Sequence, residues 1–301
     1  MNPFDLTAGA GGERIAVVTV VHGRHDHLAL QHRSLGRSAV LLDDWVVVAM
    51  DDPWPARWRT GFPPTPHVVP VAGTEQGLPL AAARNLGART AIRRGADLLV
   101  FLDVDCLASP GLALAYAAAS RRAESTDALL CGPVAYLPPP PPGGYDLRTV
   151  GDLGLPHPSR PAPLPGTVEL DPDGHRLFWS LSFALTPATW ERIGGFDEAY
   201  VGYGGEDTDF AQRAAAAGVP VAWVGGARAA HQHHPTQDPP VQHLHDIVRN
   251  ARLFHDRWGW WPMEGWLGAF AEQGLVHWEG DTLELVPEPA GVGLEMPTSE
   301  A

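Results

Sequence analysis

From residue 14 onward the chain alternates short apolar runs with longer stretches in which polar positions recur at helical spacing. The run over residues 14–21 is rich in β-branched side chains and predicts a first strand, and residues 25–35 then read as a helix. A second strand is expected at 45–50, ending in Asp51-Asp52-Pro53, and a short one at 68–71. Residues 80–94 form an Ala-rich helical stretch with few breakers, and Leu98 to Leu102 is a continuous apolar run of the kind covered on both faces. Strand and helix alternate, which is the pattern of a doubly wound, mostly parallel α/β sheet.

The second half is less regular. After Tyr136, Leu137 is followed by five prolines and two glycines, and no regular element fits the Pro-rich polar segment up to about residue 173. A stretch of that length is either a linker or a functional lid, and polyproline also serves as a plain spacer. Order is expected again as a strand over 177–185, a short helix over 187–193 with proline in its first turn, a turn at 194–198, a helix over 207–217 and a closing strand over 219–224. That strand leads to His231-Gln232-His233-His234. Beyond Pro240 a helical run reaches Trp258, and Trp258-Gly259-Trp260-Trp261-Pro262 precedes a second amphipathic piece over 266–270. The expected organisation is a loose arm over 1–13, one α/β domain over 14–235, a Trp-rich helical extension over 236–285 and a disordered tail over 286–301.

Charge narrows the partners. With 21 basic against 35 acidic side chains, a net charge of -14, the chain lacks the clustered cations that nucleic-acid phosphates require. Cys106 and Cys131 are the two cysteines, too few and too far apart for a disulfide framework or a thiolate metal knuckle, and this suits a cytoplasmic protein. No window approaches the roughly eighteen apolar residues of a membrane span, so any membrane contact is expected to be peripheral.

The candidate chemistry begins at Phe101-Leu102-Asp103-Val104-Asp105, where two carboxylates follow a buried-looking strand. Ligands of open α/β sheets bind outside the carboxyl ends of strands, and carboxylates there suit a hard divalent cation that in turn holds phosphate oxygens. The second motif is Gly202-Tyr203-Gly204-Gly205-Glu206-Asp207-Thr208-Asp209-Phe210. Acids at a helix start are stabilised by its dipole, but glycines grouped around an aromatic ring imply that backbone and carboxylates come close to a ligand.

Gly194-Gly195-Phe196-Asp197-Glu198 followed by Tyr203-Gly204-Gly205-Glu206-Asp207-Thr208-Asp209 resembles the acceptor-site signature of GT-A fold glycosyltransferases. More narrowly it is similar to the family 2 enzymes and to the C-terminal half of β-1,4-galactosyltransferases, with Tyr203 where those have tryptophan. The likeness spans about residues 14–235 and includes Ala83-Arg84-Asn85, Asp103-Val104-Asp105 and the histidine cluster. It implies that Asp51, and less so Asp52, binds the base or ribose of a nucleotide sugar, with a uridine donor favoured. Arg84 and Asn85 would lie near the diphosphate and sugar, Asp103 near the ribose or donor sugar, and Asp105 on the metal. His231 and His233 match the histidine spacing that completes such a metal site.

The reaction accounts for the same residues, because cleaving the anomeric bond leaves negative charge on a nucleoside diphosphate, which a divalent cation neutralises. Carboxylate, imidazole and phosphate oxygen suit Mn2+ or Mg2+. Residues two apart on an extended segment face the same side, so His231 and His233 are expected to face the metal while His234, like His243 and His245, is solvated. Asp207 is the expected general base for the hydroxyl of an acceptor (a glycan, a lipid-linked sugar or a small molecule), in an inverting displacement. Glu206 would orient a sugar, Asp209 would support the helix start, and Gly204 and Gly205 with the rings of Trp179, Tyr203 and Trp223 would line the acceptor site. Two other readings use the same residues: a metal-dependent hydrolase or nucleotidyltransferase, and a non-catalytic sugar-binding protein. The first is disfavoured because Val21-His22-Gly23-Arg24-His25 is a poor phosphate loop, the second because Asp105, Glu206 and Asp207 occur together.

Overall fold

A computed structural model describes residues 13–287. The arm expected over 1–13 therefore lies outside the described residues except for Glu13, and the tail expected over 286–301 except for Val286 and Pro287. In chain order the strands are β1 (Ile15–Val21), β2 (Asp44–Met50), β3 (Pro66–Val71), β4 (Leu98–Leu102), β5 (Cys106–Ala108), β6 (Leu129–Cys131), β7 (Val134–Tyr136), β8 (Leu155–Pro156), β9 (Val168–Asp171), β10 (Ser182–Leu185), β11 (Val221–Val224), β12 (Ala229–His231), β13 (Val276–Glu279) and β14 (Thr282–Leu285). The helices are α1 (His25–Leu35), α2 (Trp54–Arg57), α3 (Leu80–Arg93), α4 (Leu112–Ser120), α5 (Pro187–Ile193), α6 (Glu206–Ala216), α7 (Leu244–Trp258) and α8 (Glu264–Glu272).

Eight strands form one sheet in the order β3-β2-β1-β4-β10-β6-β11-β9. β1 lies parallel to both β2 and β4, β2 to β3, and β6 to β11, whereas β10 is antiparallel to β4 and β6, and β9 to β11. Alternate side chains of each central strand enter different cores. Val17, Val47 and Val100 pack with Leu28 of α1 and Tyr116 of α4, while Val18, Val48 and Phe101 pack with Ala88 of α3 and Phe210 of α6. Both faces are covered, which is why β1, β2 and β4 are apolar at nearly every position.

Several features depart from the pattern read in the chain, which had no element assigned at α2 or over β5, α4, β6 and β7. The strand expected over 177–185 is only its last four residues, because Gly174–Leu177 forms a 3-10 turn first. The Pro-rich segment contributes two edge strands, β8 in a second sheet and β9 in the large one. The second sheet, β5-β12-β7-β8, receives the chain after β11, and it is β12 of this sheet that delivers His231. The helical extension ends in a hairpin, β13 against β14, and has a small core of its own around Ile247, Leu267, Phe270 and Val276.

Candidate active site

The site forms where β4 stops. Ser182 of β10 pairs with Leu102, and the Asp103 amide donates to the Leu181 carbonyl at 3.1 Å, so the ladder ends at that residue. Beneath it Gln31 of α1 is fully buried and donates to the Asp103 and Cys106 carbonyls at 2.7 and 3.0 Å, fixing the turn that carries both carboxylates. Arg84 reaches the same place from α3. It is 4% exposed, and its guanidinium donates to Asp103 at 3.1 Å and to Glu206 at 3.0 Å. Asp103 and Glu206, far apart in the chain, are thus bridged by one cation, and the end of β4 meets the start of α6.

Gly205, with φ 89°, turns the chain into α6, so Glu206, Asp207 and Asp209 all fall in the first helical turn. Glu206 is buried; one carboxylate oxygen holds Arg84 and the other, Oε2, has no hydrogen-bond partner among the described residues. Asp207 accepts from the Thr208 amide at 2.7 Å and keeps a partly exposed edge. Burial and the neighbouring Glu206 charge push its carboxyl up to about 7, against the pull of Arg84. Asp209 does a different job: fully buried, it takes hydrogen bonds from Arg257 and Trp258 and ties the extension to α6.

The loop before α6 is held from the extension as well. The Asn250 amide of α7 donates to the carbonyls of Val201, Tyr203 and Gly204 at 3.0, 3.3 and 2.8 Å. Asp246 accepts from the Tyr203 amide, and it lies so close to Gly202 that a Cβ there would sit 2.1 Å from its carboxylate. Tyr203 stacks on His243 at 4.4 Å between ring centroids. Burial raises its phenol to about 12, helped by the charges of Asp207, Glu206, Asp105 and Asp103.

The second carboxylate of the β4 turn faces the histidines. Asp105 Oδ2 lies 3.5 Å from Nε2 of both His231 and His234, and one ligand atom from each of these residues fits within 4.8 Å of the others. Arg24, at the start of α1 with φ 50°, donates to the same Oδ2 at 2.7 Å. Burial acts to raise the Asp105 carboxyl, but the two histidines and Arg24 outweigh it and hold the group below the usual carboxylate range. Burial acts in the opposite sense on His231, and the Asp105 carboxylate more than offsets it, raising the imidazole. Burial also raises Asp103, with Arg84 opposing.

Residues 173–235 match a family model described as the N-terminal domain of galactosyltransferase. Among solved structures, GalNAc-T7 crystallised with UDP, GalNAc and Mn2+ superposes with a TM-score of 0.59 at 16% identity, covering 88% of this chain and 51% of that one. S. aureus TarS 1-349 does so with a TM-score of 0.52 at 13% identity, covering 81% and 64%. The chain has the mixed α/β GT-A fold of these neighbours. Two validoxylamine A glucosyltransferases, from Streptomyces hygroscopicus subsp. jinggangensis (strain 5008) and subsp. limoneus, are 31% and 30% identical over 230 residues, 69% of this chain. Those matches cover 53% and 49% of the two relatives, so the chain spans about half their length.

Within this fold several expected residues fall elsewhere than the chain suggested. His233 is exposed, and its amide faces the Tyr145 hydroxyl; His234 takes the place beside Asp105. The two-residue alternation fails because β12 ends at His231, after which Gln232 turns inward to the carbonyls of His27 and Val104. Asn85 is buried away from the acids, donating to the Phe196 carbonyl and Glu198 and accepting from the Phe196 amide, so it holds the 194–198 turn. Trp223 is core, 1% exposed, with its indole on Asp171. His243 backs Tyr203 instead of facing water alone, while His245 is exposed. Asp51 stays exposed at the end of β2 with φ 46°, whereas Asp52 is taken up by the Gly23 amide, His25 and the Trp54 amide. Trp179 is partly buried beside His157, at 4.8 Å between ring centroids. Arg24 and Asn250 had no signal in the chain, since each acts across more than 45 residues on a partner that only the fold brings near.

Proposed function

We propose that the protein transfers a hexose from a nucleotide-diphosphate sugar to an acceptor hydroxyl with inversion, using a divalent cation held by Asp105, His231 and His234. The observation that carries this reading is the Arg84 bridge, which sets the Asp103-Asp105 turn against the Glu206-Asp207 helix start. One carboxylate with two imidazoles is a donor set that suits Mn2+, and Arg24, which donates to the same oxygen, would give way when a cation binds there. The cation would neutralise charge developing on the leaving diphosphate. UDP and Mn2+ in the GalNAc-T7 crystal, and the glucosyl transfer named for the Streptomyces relatives, make UDP-glucose the first donor to test.

The chain's own residues divide the remaining work. Asp51 reaches outward at the nucleoside side, and Asp103, fixed by Arg84, faces the donor sugar. The unpartnered Oε2 of Glu206 accepts a sugar hydroxyl, which would supply the hydrogen bond that the described residues leave unmade. With its pKa near neutrality, Asp207 takes the acceptor proton as the hydroxyl oxygen attacks. Tyr203 offers a ring face to a sugar, with His243 behind it. Incubation with a panel of nucleotide sugars, with Mn2+ or with EDTA, tests the reading: Mn2+-dependent release of nucleoside diphosphate from at least one donor is expected, and release from none would reject it.

A further inference from the structure

The Pro-rich stretch between β8 and β9 crosses the half of the sheet that lies beyond β4, and its later part is clamped. A Cβ on Gly225 would sit 1.9 Å from the Leu164 carbonyl oxygen, the Gly225 amide donates to Thr167 at 2.9 Å, and Arg122 donates to the Gly166 carbonyl at 2.8 Å. Its earlier part turns at Arg160, whose amide bonds the His157 carbonyl at 3.0 Å, and sends that side chain inward until the residue is 6% exposed. The guanidinium lies between two indoles, 5.2 Å from the Trp179 ring centre and 5.3 Å from that of Trp223. None of its three nitrogens has a hydrogen-bond partner among the described residues.

A buried guanidinium without partners is expensive, and stacking on indoles recovers only part of the loss because it leaves the N–H edge unused. The contrast with Arg84 is direct, since that buried guanidinium holds two carboxylates. A neutral hydroxyl would satisfy an N–H but not the charge; a carboxylate or phosphate satisfies both. The position of Arg160 indicates which substrate would bring it. From His231 the rings of Tyr136, His157 and Trp179 lead to Arg160 in steps of 5.1, 6.3, 4.8 and 5.2 Å, away from Asp51 and into the half of the sheet built by β10, β6 and β11.

We propose that Arg160 anchors a subsite for an anionic group, carboxylate or phosphate, carried by the acceptor. Entry requires the turn at 157–160 to lift while the clamped part at 164–167 stays in place. The assignment to the acceptor rests on the transferase reading; the anion site itself does not.

The experiment follows the Arg160 side-chain Nε–H by NMR in the full chain labelled with 15N-arginine. The resonance is identified by its absence in Arg160→Lys or, if that chain does not fold, by its contacts with indole protons. Inorganic phosphate, glucose-6-phosphate, glucuronate and glucose are titrated in turn. A saturable shift with the anions and none with glucose is expected, and the stronger of phosphate and carboxylate names the group; no shift with any anion, or an equal one with glucose, overturns the site. With an active donor, Arg160→Gln is expected to raise the KM of the preferred anionic acceptor by about tenfold or more while donor hydrolysis is unchanged. An unchanged KM overturns the assignment to the acceptor. Absence of donor hydrolysis in the unaltered chain counts against the transferase alone, because the NMR shift is read without it.

Discussion

Asp207 and Asp105 show how two carboxylates of one candidate site are driven apart. Asp207 is raised to about 7 by burial and by Glu206, whereas Asp105 is held low by imidazoles and Arg24. A general base at about 7 is protonated below that pH, so kcat/KM is expected to rise about tenfold per pH unit up to neutrality and then level off. A profile flat from pH 5 to 8 would remove Asp207 from the role. Asp207→Asn is expected to lower turnover at least about a hundredfold. Its effect on stability has the opposite sign. The folded state binds a proton more tightly than the unfolded chain, so native Asp207 loses stability as pH rises from about 4 to about 7, and the asparagine variant avoids that loss. Thermal melts at pH 8 are therefore expected to place Asp207→Asn at or above the unaltered protein. His234→Ala should weaken Mn2+ binding by calorimetry while His233→Ala leaves it unchanged; equal effects would reject the ligand set.

At the scale of elements, α7 has a positioning role, because Asn250 ties the Val201, Tyr203 and Gly204 carbonyls of the loop that presents Glu206 and Asp207. Asn250→Ala leaves three part-buried carbonyls without their donor and is expected to lower stability by about 1–3 kcal/mol in urea titrations. Faster hydrogen exchange at residues 202–205 than in β1 should accompany it, and unchanged exchange there would show that the loop holds itself. The same elements show what was legible beforehand. β1, β2 and β4 are apolar on both faces and bounded by turns, and α3 and α7 keep helical spacing, so local pattern suffices to find them. β9 and the β13-β14 hairpin were missed, because short half-exposed strands on an edge carry little alternation and depend on their neighbours. Asp105, Glu206 and Asp207 stood out through their motifs. His234 did not, because its position depends on where β12 ends.

Across the whole molecule, Arg84 joins the end of β4 to the start of α6 and balances the charges of Asp103 and Glu206. Arg84→Met is expected to cost about 3–5 kcal/mol, since it leaves buried Glu206 and partly buried Asp103 without their cation. Adding Glu206→Gln should restore part of that loss, and additive losses would show that the two side chains are not coupled. The small core of the extension is bound to the main domain through Asp209, which receives Arg257 and Trp258, so a single cooperative unfolding transition is expected. The tight seat of Leu164 on Gly225 has a practical side. Chimaeras that exchange the proline-rich insertion between homologues would find their natural downstream boundary there. A donor sequence would graft cleanly only if its host keeps glycine at that seat, which makes one small residue the gatekeeper for swapping what lies upstream of it.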